Sequence, residues 1–179
     1  MRVVILDRDG VINEDSDAYI KSVSEWLPIP GSLESIARLN YHGYRVLVAS
    51  NQSGLARGVF SIDDLNAIHA KMHRELARLG GQVEAIFFCP HSPEDACRCR
   101  KPQPGLFEQI AQRFRIDFRG TPIIGDSIRD IQVARSLGAS PALVLTGKGQ
   151  STWDQHAPEL HGVPVFANLS AAVGALVHD

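Results

Sequence analysis

Two aspartates spaced i, i+2, Asp7 and Asp9, close a short apolar run, Val3-Val4-Ile5-Leu6, and Gly10 follows them. A run this short, bounded by turn residues, reads as a buried strand that delivers both acids to the rim of a parallel sheet. Open α/β sheets bind their ligands at that rim. Carboxylates this close repel each other, so the spacing fits a divalent cation or a phosphoryl chemistry that uses both. The plainer alternative is a strand that ends in an Asp-Gly turn.

Three further segments bring polar groups to the ends of apolar runs. Val46 to Ala49 leads into Ser50-Asn51-Gln52-Ser53-Gly54, Arg100-Lys101-Pro102 precedes a helical pattern, and Pro122 to Gly125 leads into Asp126-Ser127 with Asp130 beyond. Each has a plain alternative. Ser50 and Asn51 suit a turn, Ser127 and Asp130 have the spacing of a helix-capping box, and a Lys-Pro pair suits a solvated loop. Taken in order, they place hydroxyl and amide donors, a cation and two more acids around one rim.

A different chemistry is written in Cys89-Pro-His91-Ser-Pro-Glu-Asp-Ala-Cys97-Arg-Cys99, which holds every cysteine of the chain. Three thiolates and one imidazole complete a tetrahedral zinc shell with no open position, the signature of a structural site. Three reduced cysteines that merely cluster are the alternative, disfavoured because the cluster lies in a Pro-rich turn. Arg100 and Lys101 follow the last ligand directly, so a chelate that fixes Cys99 also fixes the backbone of Lys101. Zinc binding of order 10 kcal/mol is ample to order such a loop. His69 and His73 mimic a metal pair at i, i+4, but no acidic third ligand stands beside them, and an ordinary helix surface is expected.

The elements that must position these groups alternate. The patterns predict strands at Val3–Leu6, Tyr44–Ser50, Glu84–Cys89, Thr121–Gly125, Pro141–Thr146 and Val163–Ala167. Between them, helices are expected from Leu33 to Gly43, from a Ser61–Asp64 capping box to Leu79, from Pro104 to Phe114, from Ile128 to Gly138 and over 169–177. This predicts an α/β fold: a three-layer, Rossmann-like, mostly parallel sheet joined by right-handed crossovers. At 179 residues, 44% hydrophobic and 21% charged, the chain fits one domain, 1–179. A formal charge of −2 lacks a basic footprint, so no nucleic-acid partner is expected. The first apolar run is too short for a signal peptide or a membrane span, so no membrane partner and a cytoplasmic location are expected. Three cysteines fit thiols or metal ligands rather than disulfides.

In sequence order, D-x-D, S-N, K and G-D-x-x-x-D are matched by Asp7/Asp9, Ser50, Lys101 and Asp126/Asp130, and here the chain resembles the haloacid dehalogenase superfamily of phosphohydrolases. The resemblance implies that Asp7 attacks phosphorus to form an aspartyl-phosphate and that Asp9 serves as general acid, then general base. It also implies that the Asp7 carboxylate, the Asp9 backbone carbonyl and Asp126 hold Mg²⁺, with Zn²⁺ in the Cys89, His91, Cys97 and Cys99 loop. Lys101 would offset negative charge, and the Ser50 hydroxyl would hold phosphoryl oxygens. Asp130 is either support for the metal site or a helix-start acid. Residues 10–43 and 54–83 leave no room for a cap domain, so loops should roof the site. The resemblance is strongest to a capless, zinc-loop branch that acts on small phosphorylated sugars. It implies that Ser50, Asn51, Gln52, Ser53, Arg57, Arg100 and Lys101, with Asp15 and Tyr19 in the flap, contact a sugar bisphosphate. A monomer is expected. The alternatives are a histidinol-phosphate phosphatase, which shares the zinc loop, and a zinc-stabilised binding module without catalysis.

Overall fold

The structure is a computed structural model that describes residues 2–177. Six strands, β1 (Arg2–Leu6), β2 (Tyr44–Asn51), β3 (Ala85–Cys89), β4 (Pro122–Gly125), β5 (Ser140–Val144) and β6 (Val165–Phe166), form one sheet in the order β3-β2-β1-β4-β5-β6. Every neighbouring pair is parallel. The chain winds outward from β1 to β3 and then crosses back to β4, so the order reverses between β1 and β4. Crevices at such reversals are where doubly wound sheets bind ligands.

Among the described residues, six α-helices cover the two faces: α1 (Ser32–Tyr41), α2 (Ile62–Arg78), α3 (Gly105–Phe114), α4 (Ile128–Ser136), α5 (Gly149–His156) and α6 (Leu169–Leu176). Strand alternation decides which face each β1 residue serves. Val4 and Leu6 pack with Leu33, Ile36, Ile68, Met72 and Val173 on one face, whereas Val3 and Ile5 pack with Leu106, Phe107, Ile110 and Val133 on the other. The strand is therefore buried on both sides, as its unbroken apolar run requires. The helix α2 begins as its sequence demands, with the Ser61 hydroxyl accepting from the Asp64 N–H and the Asp64 carboxylate accepting from the Ser61 N–H.

The fold is the three-layer parallel α/β arrangement expected, and the segments after β1 and β2 carry a flap and a single helix rather than a cap. Helix α5 and strand β6 differ most from the sequence pattern. Helix α5 is unannounced in the sequence because it buries only Gly149 and Thr152 and has no side-chain cap, so it leaves no apolar stripe to read. Strand β6 is confined to Val165 and Phe166 at the sheet edge, shorter than its apolar run. Among the described residues, no helix is long and apolar enough to cross a membrane.

Leu6 is fully buried at the last position of β1. Leu6→Ala should cost about 2–5 kcal/mol in urea unfolding, whereas Leu79→Ala at an exposed position should stay within about 0.5 kcal/mol. Equal losses at the two positions would contradict the assignment of this core.

Candidate active site

The register fixes the rim. Leu6 stands beside Val48 on one side and Ile124 on the other, so the residues that follow each strand emerge together. The Asp7 N–H still donates to the Ile124 carbonyl at 3.0 Å, after which the chain turns, with the Arg8 carbonyl accepting from the Ile12 N–H at 2.8 Å. Gly10 makes that turn possible at φ +80°, and a β-carbon there or at Gly147 would collide with the Asp126 carboxylate. Asp7 and Asp126 thus meet at the sheet's reversal, and oxygens of Asp7, Asp126 and Asp130 lie within 4.8 Å of one another.

The Lys101 ammonium enters this cluster almost fully buried. It donates to Asp130 Oδ1 at 2.7 Å and to the Ala49 carbonyl at 2.7 Å, and it pairs with Asp7 Oδ1 at 3.2 Å. Burial works against its charge, yet Asp130 and Asp7 hold its proton more firmly than a free lysine holds one. Asp130 is the helix-start acid that one reading of the sequence expected, and it also pairs with Lys101. One oxygen pairs with Lys101, and the other caps α4 by accepting from the Ser127 N–H at 3.1 Å and hydroxyl at 2.7 Å. Gly125 leaves the space that Asp130 occupies.

Burial pushes the Asp7 carboxyl up to about 7, with Lys101 opposing and Asp130 and Asp9 adding to the rise. Asp126 is raised well above the ordinary carboxylate range by burial and then by Asp7 and Asp130, although the Lys148 backbone N–H donates to its Oδ2 at 2.8 Å. One lysine cannot balance this many acids. The deficit, and a donor set made of hard oxygens, fit Mg²⁺.

Asp9 points into a different network. Its Oδ1 accepts from Arg8 Nε at 3.0 Å, Arg8 Nη2 at 2.8 Å and Asn13 Nδ2 at 2.9 Å, while its Oδ2 accepts only from Gln52 Nε2, at 3.0 Å. Burial alone would raise its pKa, but Arg8 with Asn13 and Gln52 brings it below the ordinary range. A phosphoryl dianion entering beside it would favour its protonated form again. The fully buried Arg8 turns its remaining Nη1 to His69 Nε2 at 3.0 Å. His69 is therefore buried, correcting the expected surface position, because it adjoins the inward stripe of Leu65, Ile68 and Met72 and meets a buried cation that needs an acceptor. His73 is exposed, as expected.

A cavity of about 300 Å³ opens in front of these groups, lined by Asp7, Asp9, Asp15, Tyr19, Asn51, Gln52, Ser53, Arg57, Arg100, Lys101 and Asp126. Ser50 is the exception among the expected residues. It is buried behind Gln52, whose Nε2 donates to its hydroxyl oxygen at 2.8 Å. Asn51 clamps the Lys101 backbone, accepting its N–H at 3.0 Å and donating to its carbonyl at 3.2 Å. Arg57 pairs with Glu94 at 3.3 Å. Arg100 carries a buried Nη1 without a partner among the described residues, and its charge is disfavoured by burial and then by Arg129.

Sequence reasoning missed Arg8, His69, Arg129 and Lys148. The last two line the cavity. Lys148 also reaches flap residue Asp15 at 3.5 Å, and its signal was the Gly-Lys-Gly that follows β5 onto the same rim. The flap is anchored from α2, where Lys71 Nζ donates to the Trp26 carbonyl at 2.7 Å and the Val23 carbonyl at 3.0 Å.

Beside the cavity, the four atoms of the thiol loop converge. Cys89 Sγ lies 3.0 Å from Cys99 Sγ and 3.5 Å from Cys97 Sγ, Cys97 and Cys99 are 3.6 Å apart, and His91 Nδ1 is 3.2 Å from Cys99 Sγ. These approach the edges of about 3.8 Å of a tetrahedron with zinc–sulfur bonds near 2.3 Å. Although burial opposes it, the Arg100 backbone N–H and neighbouring sulfurs lower the Cys97 thiol to about 6. The cluster fits zinc.

The charge balance has a measurable consequence. A carboxyl raised in the folded state binds its proton more tightly there than in the unfolded chain, so its stabilising effect is lost as pH rises from about 4 through about 7. Magnesium-free protein should therefore melt at a lower temperature at pH 8 than at pH 6, and Asp7→Asn should raise the melting temperature at pH 8. A destabilised Asp7→Asn at pH 8 would show that repulsion does not govern this cluster.

Sequence comparison matches residues 2–128 to the polynucleotide kinase 3 phosphatase family and residues 98–172 to the HAD-hydrolase-like family. The chain is 52% identical to the D-glycero-beta-D-manno-heptose-1,7-bisphosphate 7-phosphatase of Bordetella bronchiseptica, covering 100% of this chain and 99% of that protein. It is 49% identical to the phosphatase of the same name from Pseudomonas aeruginosa, covering 98% and 97% respectively. The crystal structure of D,D-heptose 1,7-bisphosphate phosphatase from B. bronchiseptica, complexed with magnesium and phosphate, superposes with a TM-score of 0.95 at 53% identity over 99% of this chain and 98% of that one. With a sheet reversal that joins Asp7 to Asp126 and a buried lysine between the acids, this chain belongs to the haloacid dehalogenase-like phosphatases, phosphoric monoester hydrolases, in the family of the D,D-heptose 1,7-bisphosphate phosphatases.

Proposed function

We propose that this chain removes the 7-phosphate of D-glycero-β-D-manno-heptose 1,7-bisphosphate through an aspartyl-phosphate, leaving the 1-phosphate in place. The observation that carries the reading is Arg100, which lines the same cavity as Asp7 and Lys101 and whose buried Nη1 has no hydrogen-bond partner among the described residues. A guanidinium left without a protein acceptor is suited to bidentate contact with a second phosphate. Arg57 and Arg129 line the same cavity, which disfavours a cationic imidazole substrate. The names and near-complete coverage of the relatives support the sugar bisphosphate.

In the first step an Asp7 carboxylate oxygen bonds to phosphorus as the bond from phosphorus to O7 breaks. The electron pair stays on O7, which takes a proton from Asp9 and leaves as the sugar hydroxyl. In the second step water attacks phosphorus, Asp9 takes its proton, and the Asp7 carboxylate departs with inorganic phosphate released. Lys101 stays charged throughout and offsets Asp7 and the transferring group. Asp7, the Asp9 backbone carbonyl and Asp126 would hold Mg²⁺, which when bound supplies positive charge beside the phosphoryl oxygens. Ser50 acts through Gln52, and Gln52, Ser53, Asp15 and Tyr19 border the sugar. Zinc on Cys89, His91, Cys97 and Cys99 orders the loop that carries Arg100 and Lys101. The whole site lies in one domain, 1–179, working as a monomer in the cytoplasm, where the thiols stay reduced.

Phosphate release with Mg²⁺ across sugar phosphates, sugar bisphosphates and histidinol phosphate tests the reading, and the heptose bisphosphate should give the highest kcat/KM. Asp7→Asn should abolish turnover while keeping the fold, and wild-type-like turnover in that variant would sink the mechanism. Arg100→Ala should lower kcat/KM for the bisphosphate by about one to two decades more than for an aryl phosphate, the effect of losing a charge-assisted contact of roughly 1.5–3 kcal/mol. Equal losses on both substrates would assign Arg100 to loop support instead.

A further inference from the structure

The middle residue of the Asp7-Arg8-Asp9 motif is the largest buried polar side chain among the described residues, and the two-step reaction above gives it nothing to do. All three of its donor nitrogens are nevertheless committed. Nε and Nη2 fork onto a single oxygen, Asp9 Oδ1, at 3.0 and 2.8 Å, and Nη1 donates to His69 Nε2 at 3.0 Å. A buried guanidinium must place its donors, and a planar fork places two of them rigidly. We propose that Arg8, seated by His69, is a positioning residue that fixes which oxygen of Asp9 carries the proton.

The geometry selects the oxygen. A carboxylate oxygen offers two in-plane lone pairs, and Asp9 Oδ1 already meets the two Arg8 nitrogens and Asn13 Nδ2 at 2.9 Å. Oδ1 has no room for a proton. Oδ2 meets only Gln52 Nε2, at 3.0 Å, and the Asp9 side chain retains 21% exposure toward the cavity. Oδ2 is therefore the atom that gives its proton to the leaving oxygen as the ester bond breaks, and that later takes one from the attacking water. The arrangement depends on His69 because arginine can only donate. Nε2 must then be the accepting nitrogen, with the proton on Nδ1, and burial and then the Arg8 charge keep the ring neutral by holding the imidazole down to about 3. The ring is buried on α2 and lies tilted against Phe88, with ring centroids 6.4 Å apart. Removing the imidazole leaves Nη1 a buried donor without an acceptor, so the guanidinium must shift and the Asp9 carboxylate is freed to turn.

The inference rests on the proposed acid role of Asp9, and leaving-group dependence separates the two. A sugar phosphate expels a poor leaving group that needs a proton, whereas 2,4-dinitrophenyl phosphate does not, and kcat/KM reports the step up to phosphorylation of Asp7. General acid catalysis contributes about 10²–10⁴-fold, so Asp9→Asn should lose most activity on the sugar phosphate and far less on the dinitrophenyl ester. His69→Ala should show the same selectivity in weaker form, with kcat/KM down about tenfold or more on the sugar phosphate and within about twofold on the dinitrophenyl ester. His69→Gln, whose amide oxygen can accept from Arg8, should recover most of the loss. Should His69→Ala fail to fold by circular dichroism, Arg8→Lys carries the same test, because lysine keeps the charge and loses the fork. If Asp9→Asn lowers both substrates equally, the acid role itself fails. If Asp9→Asn is selective but His69→Ala and Arg8→Lys lower both substrates equally or neither, the positioning role is overturned.

Discussion

The ammonium of Lys101, buried between Asp7 and Asp130, is the interaction on which the rest of this structure depends. A charge taken out of water needs close partners, and Lys101 has two, so it stays paired with Asp130 if Asp7 loses its charge. Every nearby element serves to bring this lysine and its acids together. The reversal of strand order sets Asp7 next to Asp126. The N-terminus of α4 supplies Asp130, the end of β2 supplies the Ala49 carbonyl, and the Asn51 amide holds the Lys101 peptide from both sides. Glycines at 10, 125 and 147 leave room for the carboxylates to approach. The cluster still carries more negative than positive charge, and that imbalance prepares it to receive a divalent cation.

The thiol loop adds a second constraint on the same side chain. Cys89 ends β3 in the core, and Cys99 stands two residues before Lys101. Closing the four ligand atoms around zinc would tie a segment with little regular structure to a sheet strand, and binding of order 10 kcal/mol exceeds the cost of ordering it. In the proposed function, zinc contributes no reacting group. Its effect reaches the chemistry through the position of Lys101 and of Arg100.

Much of this was legible in the sequence for a physical reason. Acids that interrupt apolar strands, and cysteines gathered in a Pro-rich turn, violate local expectations strongly enough to be seen without a structure. Asp7, Asp9, Lys101, Asp126 and the four thiol-loop residues stand where those violations place them. Arg8 was hidden because the middle of the motif reads as a spacer, and a buried arginine betrays itself only through its partners. His69 was hidden for the matching reason, since its partner lies 61 residues away on another element. Lys148 and Arg129 gain their meaning from contacts across the rim, which spacing along the chain does not encode. Helix α5 lacks an apolar stripe, so tertiary placement alone decides it.

In the proposed function Asp7, whose carboxylate stands beside Lys101, is the nucleophile of a covalent phosphatase. That role is tested most directly by quenching the enzyme during turnover of the heptose bisphosphate with Mg²⁺, reducing it with borohydride and sequencing it by mass spectrometry. An aspartyl-phosphate is reduced to homoserine, so the account predicts homoserine at position 7 in the presence of substrate and none in its absence. Rapid phosphate release with no reduced residue at position 7, or with the label at another carboxylate, would contradict it.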